Sequence, residues 1–312
     1  MNFFKPKFWD RRNHISFFSI LLLPFSIITI VKNYYENNKI KKNFYDLKTI
    51  CVGNIYIGGT GKTPLVNNLT AHFKKKFKTL IIKKNYLSHL DEKKLLESKH
   101  KVIFEKTREL SITKAENEKA EMLIFDDGLQ EKKINYDLKI VCFNSLKLDG
   151  NGLIIPAGPL RERLDSIKNY DVVLINGDAN KETKNFIYKI KKINPNIKIF
   201  TGKYVPKNYS KLKKKKFIIF SGIGNPHTFS DTLKNLKIKF NGYEIFPDHY
   251  DYKESDLQKL KSLAKIKNCE LLTTEKDYFR LKKSFRKNIN FLKVELSVDQ
   301  KRQFYKYLNE RL

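Results

Sequence analysis

The chain has 312 residues, 41% of them hydrophobic, enough for a packed core in one large or two modest domains and too many for a disordered polymer. Its 63 basic and 33 acidic residues give a net charge of +30, which suggests an anionic partner: nucleic acid, acidic lipid or a phosphorylated substrate. A genome biased toward Lys and Asn codons accounts for part of the same excess, and scattered runs such as 213–216 suit a solvated face.

From 15 to 31 the sequence is almost wholly apolar, interrupted by Ser16, Ser19, Pro24, Ser26 and Thr29. That length is the lower limit for a helix that spans a bilayer. A signal peptide is disfavoured, because no small-residue cleavage site follows. Basic residues flank both ends, with Lys5, Lys7, Arg11 and Arg12 before and Lys32, Lys39, Lys41 and Lys42 after. A spanning helix with the body inside would place the basic N-terminus outside, against the positive-inside rule. The preferred expectation is a helix embedded in the cytoplasmic leaflet and kinked at Pro24, with a single spanning helix as the alternative. Residues 1–45 form this anchoring segment.

Beyond it, strand-like runs at 48–55, 79–83, 101–104, 122–125, 139–143 and 171–176 alternate with helical patterns, notably 64–75 and 108–119. Short apolar runs alternating with helices imply a parallel sheet covered on both faces, with ligands gathering at the carboxyl ends of its strands. Two such ends carry chemistry. After the first strand come Tyr56, Ile57, Gly58, Gly59, Thr60, Gly61, Lys62 and Thr63. Glycines let backbone N–H groups close around phosphate oxygens, Lys62 reaches the outer phosphates, and the Thr63 hydroxyl can ligate Mg²⁺. Tyr56 occupies the first glycine position of the general P-loop pattern, which is therefore matched only from Gly61 onward. At the second end, 121–128 reads as a buried strand closing on Asp126, Asp127 and Gly128, hard oxygen ligands where Mg²⁺ on a nucleotide requires them. Alone, Asp-Asp-Gly reads as a turn; paired with Lys62, the metal role is the better reading.

The P-loop region is expected over 46–197, and a second, smaller α/β region over 198–312, with strands at 217–220, 239–245, 270–273 and 290–294. Ser255 with Gln258 suggests a capping box for a helix through Ile266. Cys51, Cys142 and Cys269 lack any paired spacing, so neither a zinc motif nor a disulfide framework follows, as suits a reducing cytoplasm. Cys51 and Cys142 sit in apolar strands as core residues.

Several ordered motifs resemble the tetraacyldisaccharide 4'-kinases of lipid A synthesis nearly end to end. They are Lys5-Pro6-Lys7-Phe8-Trp9, Val52-Gly53-Asn54 leading into Gly58-Gly59-Thr60-Gly61-Lys62-Thr63-Pro64, Asp126-Asp127-Gly128-Leu129-Gln130 and Pro156-Ala157-Gly158-Pro159-Leu160-Arg161-Glu162. Phe220-Ser221-Gly222-Ile223-Gly224, Phe246-Pro247-Asp248-His249-Tyr250 and Thr273-Thr274-Glu275-Lys276-Asp277 follow. The resemblance implies an enzyme that uses Mg²⁺ and ATP to phosphorylate the 4' hydroxyl of an acylated glucosamine disaccharide 1-phosphate lipid at the cytoplasmic face of the bacterial inner membrane. It places Arg161 and Glu162 near the active site, Arg161 as a phosphate partner and Glu162 among the metal ligands; a surface ion pair opening a helix is the alternative. It assigns the proton acceptor to Asp91, assisted by His249, although Asp91-Glu92-Lys93-Lys94 also reads as a solvated helix start. The sequence departs from the family pattern at Lys83-Lys84-Asn85-Tyr86, where Ser-Arg-Gly-Tyr is usual. It departs again in the loop between Tyr86 and Asp91, which is largely missing, and at Glu131, where His is usual.

The fold expected is α/β, a P-loop NTPase-like parallel sheet flanked by helices, with a smaller C-terminal α/β subdomain and an N-terminal membrane helix. The expected activity is the lipid kinase, with no nucleic-acid partner, since no nucleic-acid module is present. Two other readings stand beside it: a basic membrane- or nucleic-acid-binding P-loop protein that has lost catalysis, and a P-loop enzyme acting on a soluble metabolite.

Overall fold

The computed structural model describes residues 6–12, 14–40, 43–84, 90–224, 226–248 and 250–312, with the backbone alone described at 37–39 and 90–92. After a 3-10 turn (Lys7–Asp10), helix α1 (Phe17–Lys39) begins at Ser16, whose hydroxyl accepts the Ser19 N–H at 3.1 Å. Pro24 lies inside α1 without ending it. The helix is inverted relative to that of a water-soluble protein. Its inward stripe carries Ser19, Leu22, Ser26, Thr29, Ile30 and Asn33, whereas Phe17, Phe18, Leu21, Phe25, Ile28 and Val31 are exposed. An aqueous amphipathic helix buries its large apolar side chains.

The chain then alternates as the apolar periodicity dictates. β1 (Lys48–Gly53) leads to α2 (Lys62–Phe73) and β2 (Thr79–Lys84), and α3 (Leu90–Glu97) precedes β3 (Val102–Glu105). α4 (Arg108–Asn117), β4 (Met122–Asp126), β5 (Leu138–Asn144), β6 (Val172–Asn176), α5 (Lys181–Ile193) and β7 (Lys198–Pro206) follow. Next come α6 (Tyr209–Leu212), β8 (Lys216–Ser221), α7 (Pro226–Asn235), β9 (Lys239–Ile245), α8 (Glu254–Ile266), β10 (Glu270–Thr274) and α9 (Glu275–Arg280). β11 (Ile289–Leu292), β12 (Val294–Val298) and α10 (Lys301–Arg311) complete the chain.

Two compact units result. The first holds α1, α2, α4, α5 and α10 around an eight-stranded sheet ordered β12-β7-β6-β5-β1-β4-β2-β3, parallel from β1 through β7. Central strand β1 lies between β4 and β5, with Val52 opposite Asp126, so the loop after β1 and the carboxylates after β4 emerge side by side. Ile50, Cys51 and Val52 of β1 and Leu123, Ile124 and Phe125 of β4 are fully buried, as strands covered on both faces must be. The second unit contains α3, α6–α9 and a four-stranded parallel sheet ordered β11-β10-β8-β9. Its central polar feature is Asp277, wholly buried, which accepts from Arg280 Nη1 at 2.7 Å, Tyr252 OH at 3.0 Å and the Gly222 N–H at 3.1 Å.

The unit boundaries differ from the expected division at 197/198. β7 runs in register with β6, Val172 opposite Lys198 through Asn176 opposite Gly202, and so belongs to the main sheet as far as Tyr204. The chain also returns to the first unit for α10, where Phe304 and Leu308 are fully buried and Phe304 meets Phe200 edge-on at 5.0 Å. Conversely, α3 clusters with the second unit, tied by Lys99 to Glu275 at 2.8 Å. Two smaller expectations also change. α8 begins at Glu254, and its cap is the Lys253 N–H donating to the Asp256 carboxylate at 2.9 Å, which puts Ser255 inside the first turn. The run expected as one strand at 290–294 is divided at Lys293, whose N–H donates to Asn208 Oδ1 at 2.9 Å.

Candidate active site

The turn from β1 into α2 is held by one buried amide. Asn54 Nδ2 donates to the carbonyls of Tyr56 at 2.5 Å and Gly58 at 3.1 Å, while its Oδ1 accepts from Lys62 Nζ at 3.0 Å. Asn54 thus curls the loop and fixes the Lys62 ammonium over it. Gly61 caps α2 with φ +93°, and a Cβ there would lie 2.7 Å from Asn176 Nδ2, so both backbone and space require glycine. Tyr56, at the first position of the loop, is buried and its hydroxyl donates to Asp10. Its ring therefore packs into the fold, and only its backbone belongs to the loop. The Thr60 hydroxyl is buried without a hydrogen-bond partner, an acceptor or donor left for something outside the protein.

The carboxylates after β4 face this loop. Thr63 Oγ1 donates to Asp126 Oδ2 at 3.1 Å, and the Lys83 ammonium reaches the same oxygen at 2.5 Å. Asp126 Oδ1 is buried and unpartnered. Asp127, with φ +61°, turns back over the site, 3.7 Å from Lys62 Nζ and 3.1 Å from Arg161 Nη1. Burial pushes the Asp127 carboxyl up, but Lys62 and Arg161 beside it outweigh burial and hold it below the ordinary carboxylate range. The buried Arg108 donates to the Asp127 carbonyl at 2.5 Å and pairs with Glu131 at 3.6 Å.

Arg161 Nη1 also donates to Gln130 Oε1 at 3.0 Å. Glu162 is buried, and both of its oxygens are engaged by the protein, Oε1 by Lys132 Nζ at 3.1 Å and Gln130 Nε2 at 3.2 Å, Oε2 by Tyr170 OH at 3.1 Å. These contacts orient Gln130 and, through it, Arg161. The side chain of Asp91, in the first turn of α3, and the whole of His249 lie outside the described residues. The structure therefore brings Lys62, Thr63, Asp126, Asp127 and Arg161 together at the carboxyl ends of β1 and β4. Among the described residues no group of three or more His, Cys, Asp or Glu side chains forms a self-sufficient metal cage. Mg²⁺ carried by a nucleotide needs fewer, one or two carboxylates supplemented by phosphate oxygens and water.

Sequence reasoning passed over four contributors: Asn54, Lys83, Arg108 and Gln130. Asn54 and Gln130 lay inside motifs that were already singled out, and a buried polar residue beside a glycine loop is their signal. Lys83 stood out only as a departure from the family pattern, and its role, like that of Arg108, depends on which elements are neighbours.

The family model described as Tetraacyldisaccharide-1-P 4'-kinase (LpxK) matches residues 18–312. The chain belongs to this family. It is accordingly an enzyme, a kinase. Among curated relatives, the tetraacyldisaccharide 4'-kinase of Pelagibacter ubique is 45% identical over 308 residues, spanning 96% of this chain and 95% of that one. The Rickettsia akari protein of the same name is 35% identical, covering 98% of this chain and 96% of its own length. Among solved structures, "apo" form LpxK from Aquifex aeolicus, crystallised in complex with ATP, aligns with a TM-score of 0.72 at 24% identity, over 94% of this chain and 99% of that one. That likeness shows the shared fold of a parallel sheet flanked by helices.

Proposed function

We propose that this member of the family transfers the γ-phosphate of ATP to the 4' hydroxyl of an acylated glucosamine disaccharide 1-phosphate, at the cytoplasmic face of the inner membrane. The observation that carries the proposal is the convergence of Lys62, Thr63, Asp126, Asp127 and Arg161 on one glycine loop at the carboxyl ends of adjacent strands. The donor set suits Mg²⁺, since Asp126 keeps one buried oxygen, Oδ1, without a protein partner while Lys83 and the Thr63 hydroxyl hold the other. Bound with the nucleotide, Mg²⁺ would neutralise charge on the phosphates, with Thr63, Asp126 and Asp127, and Glu162 by likeness to the family, as its protein partners.

The chain's own residues do the rest. Backbone N–H groups from Gly58 to Thr63 and the N-terminus of α2 cradle the phosphates. Asn54 holds Lys62 where it meets charge on the outer phosphates, and Arg161 sets a second cation beside Asp127. Phosphoryl transfer depends mainly on such positioning and charge neutralisation. The proton of the 4' hydroxyl is assigned to Asp91, oriented by His249, by likeness to the family's motifs.

The proposed localisation draws its support from α1. By length and composition the helix could cross a membrane. Its inward stripe, however, docks along unit 1: Ser26 Oγ donates to the Ile154 carbonyl at 2.9 Å and Asn33 Nδ2 to the Arg161 carbonyl at 2.8 Å. A spanning helix would drag that part of the kinase body into hydrocarbon, where irregular backbone is not tolerated. Lying in the interface with its apolar face in lipid is therefore favoured. Purified protein incubated with γ-labelled ATP, Mg²⁺ and the disaccharide 1-phosphate in mixed micelles tests the activity. A labelled bisphosphorylated lipid is expected; ATP binding with no lipid product would refute the assigned acceptor.

A further inference from the structure

Residues 151–161 are clasped between the membrane helix and the glycine loop. On one side, the Asn151 side chain donates to Ser19 Oγ at 3.2 Å, Ser26 Oγ donates to the Ile154 carbonyl at 2.9 Å, and Trp9 Nε1 donates to the Pro156 carbonyl at 3.1 Å. On the other side, Tyr56 bridges Leu160, the Ile57 N–H donates to the Pro159 carbonyl at 2.9 Å, and the Arg161 N–H donates to the Ile55 carbonyl at 2.6 Å. Arg161 is where the two sides meet. Its carbonyl accepts from Asn33 of α1 at 2.8 Å, its N–H is bound to the glycine loop, and its guanidinium holds Asp127 at 3.1 Å.

We propose that Asn33 is a positioning residue: its amide fixes Arg161 from the membrane side, so that seating of α1 in lipid and occupation of the nucleotide loop are energetically linked. The proposal rests on the kinase reading of the site. The physical case has three parts. Asn33 is a polar residue on the stripe of α1 that faces the protein, and truncating it leaves the exposed Phe, Leu and Ile face untouched. The tether ends on the backbone of Arg161 itself, so its loss lets the base of the guanidinium arm shift against Asp127. A second strap, from Asp10 to the Tyr56 hydroxyl, joins the segment before α1 to the same loop, which makes the clasp a two-point attachment rather than a single contact. Linkage is reciprocal: if lipid engagement strengthens nucleotide binding, nucleotide must strengthen lipid engagement by the same factor.

The test is co-sedimentation of the full chain with anionic phospholipid vesicles, with and without a saturating non-hydrolysable ATP analogue and Mg²⁺, beside a direct titration of the analogue. In the unaltered protein the analogue is expected to raise the vesicle partition coefficient by roughly fivefold or more, the lower range of ordinary coupling between sites. Asn33→Ala should partition like the parent without nucleotide and lose the nucleotide-dependent increase. Asn33→Leu, of similar size but uncharged and without the donor, should do the same, which separates loss of the hydrogen bond from a packing defect. An unchanged increase in both variants, or none in the parent despite analogue binding, overturns the coupling. Failure of the parent to bind the analogue at all removes the kinase reading, and the coupling with it.

Discussion

The Lys83 ammonium lies 2.5 Å from Asp126 Oδ2, with both side chains buried and Thr63 Oγ1 donating to the same oxygen. The pair neutralises a carboxylate that would otherwise be an isolated buried charge beneath the glycine loop. Removing one partner of a buried pair leaves the other uncompensated, at about 3–5 kcal/mol. Lys83→Met is expected to destabilise the fold on that scale, as read by urea or thermal unfolding. Lys83→Met combined with Asp126→Asn should cost clearly less than the two changes summed. Additive losses would show that the two groups do not sense each other.

Much of the first sheet was legible because its strands are buried on both faces and therefore read as short β-branched runs, from Ile50-Cys51-Val52 to Val172-Val173-Leu174. The glycine loop and the paired aspartates were legible for a similar reason, since their chemistry demands residue types at fixed spacing. β7 was harder to place, because Lys198-Ile199-Phe200-Thr201 is a short apolar pair between polar residues that would suit a strand of either region, and only its pairing with β6 assigns it. α10 mixes four basic residues with the buried Phe304 and Leu308, so its short apolar stripe is masked by charge. The Asn33–Arg161 and Lys83–Asp126 contacts join residues 128 and 43 positions apart, and no local pattern encodes them.

The three cysteines should separate by reactivity. Burial pushes the Cys51 and Cys142 thiols up to about 12, and both are inaccessible, whereas Cys269 is partly exposed in the second unit. The thiolate is the reactive form, so a disulfide reagent at pH 8 is expected to titrate Cys269 alone in the native protein and all three after denaturation. Rapid native reaction of Cys51 would mean that the β1–β4 core opens readily.

The placement of α1 can be read from its two ends. In a Cys269→Ser background, His14→Cys and Lys32→Cys put single reactive thiols at exposed positions before and within the helix. An interfacial helix keeps both on the cytoplasmic side. A membrane-impermeant maleimide should therefore label both in inside-out inner-membrane vesicles and neither in right-side-out ones. Opposite labelling of the two positions would mean that the helix crosses.

Asp127 offers the sharpest pH test. Burial alone would raise its carboxyl, but Lys62 and Arg161 reverse that, so its folded value lies below the unfolded value of about 3.9. A group with a depressed folded value stabilises the fold when charged. Its contribution is complete above about pH 4–5 and is lost as pH falls through the folded value. Asp127→Asn should therefore lose stability at pH 7, by roughly 1.5–3 kcal/mol as for hydrogen bonds to a charged group, and the gap from the parent should close in acid. The same substitution leaves Lys62 and Arg161 without their shared carboxylate and, on the proposed function, removes a partner of the nucleotide's metal. Turnover should fall by roughly 10²–10³, on the scale of losing one preorganised electrostatic contact, as should that of Lys62→Ala. Because the carboxyl is ionised throughout the neutral range, no inflection in the parent's pH–rate profile between pH 5 and 8 should disappear in Asp127→Asn. A stability gap that widens in acid would reverse the sign of the assignment and place the proton on Asp127 in the folded state.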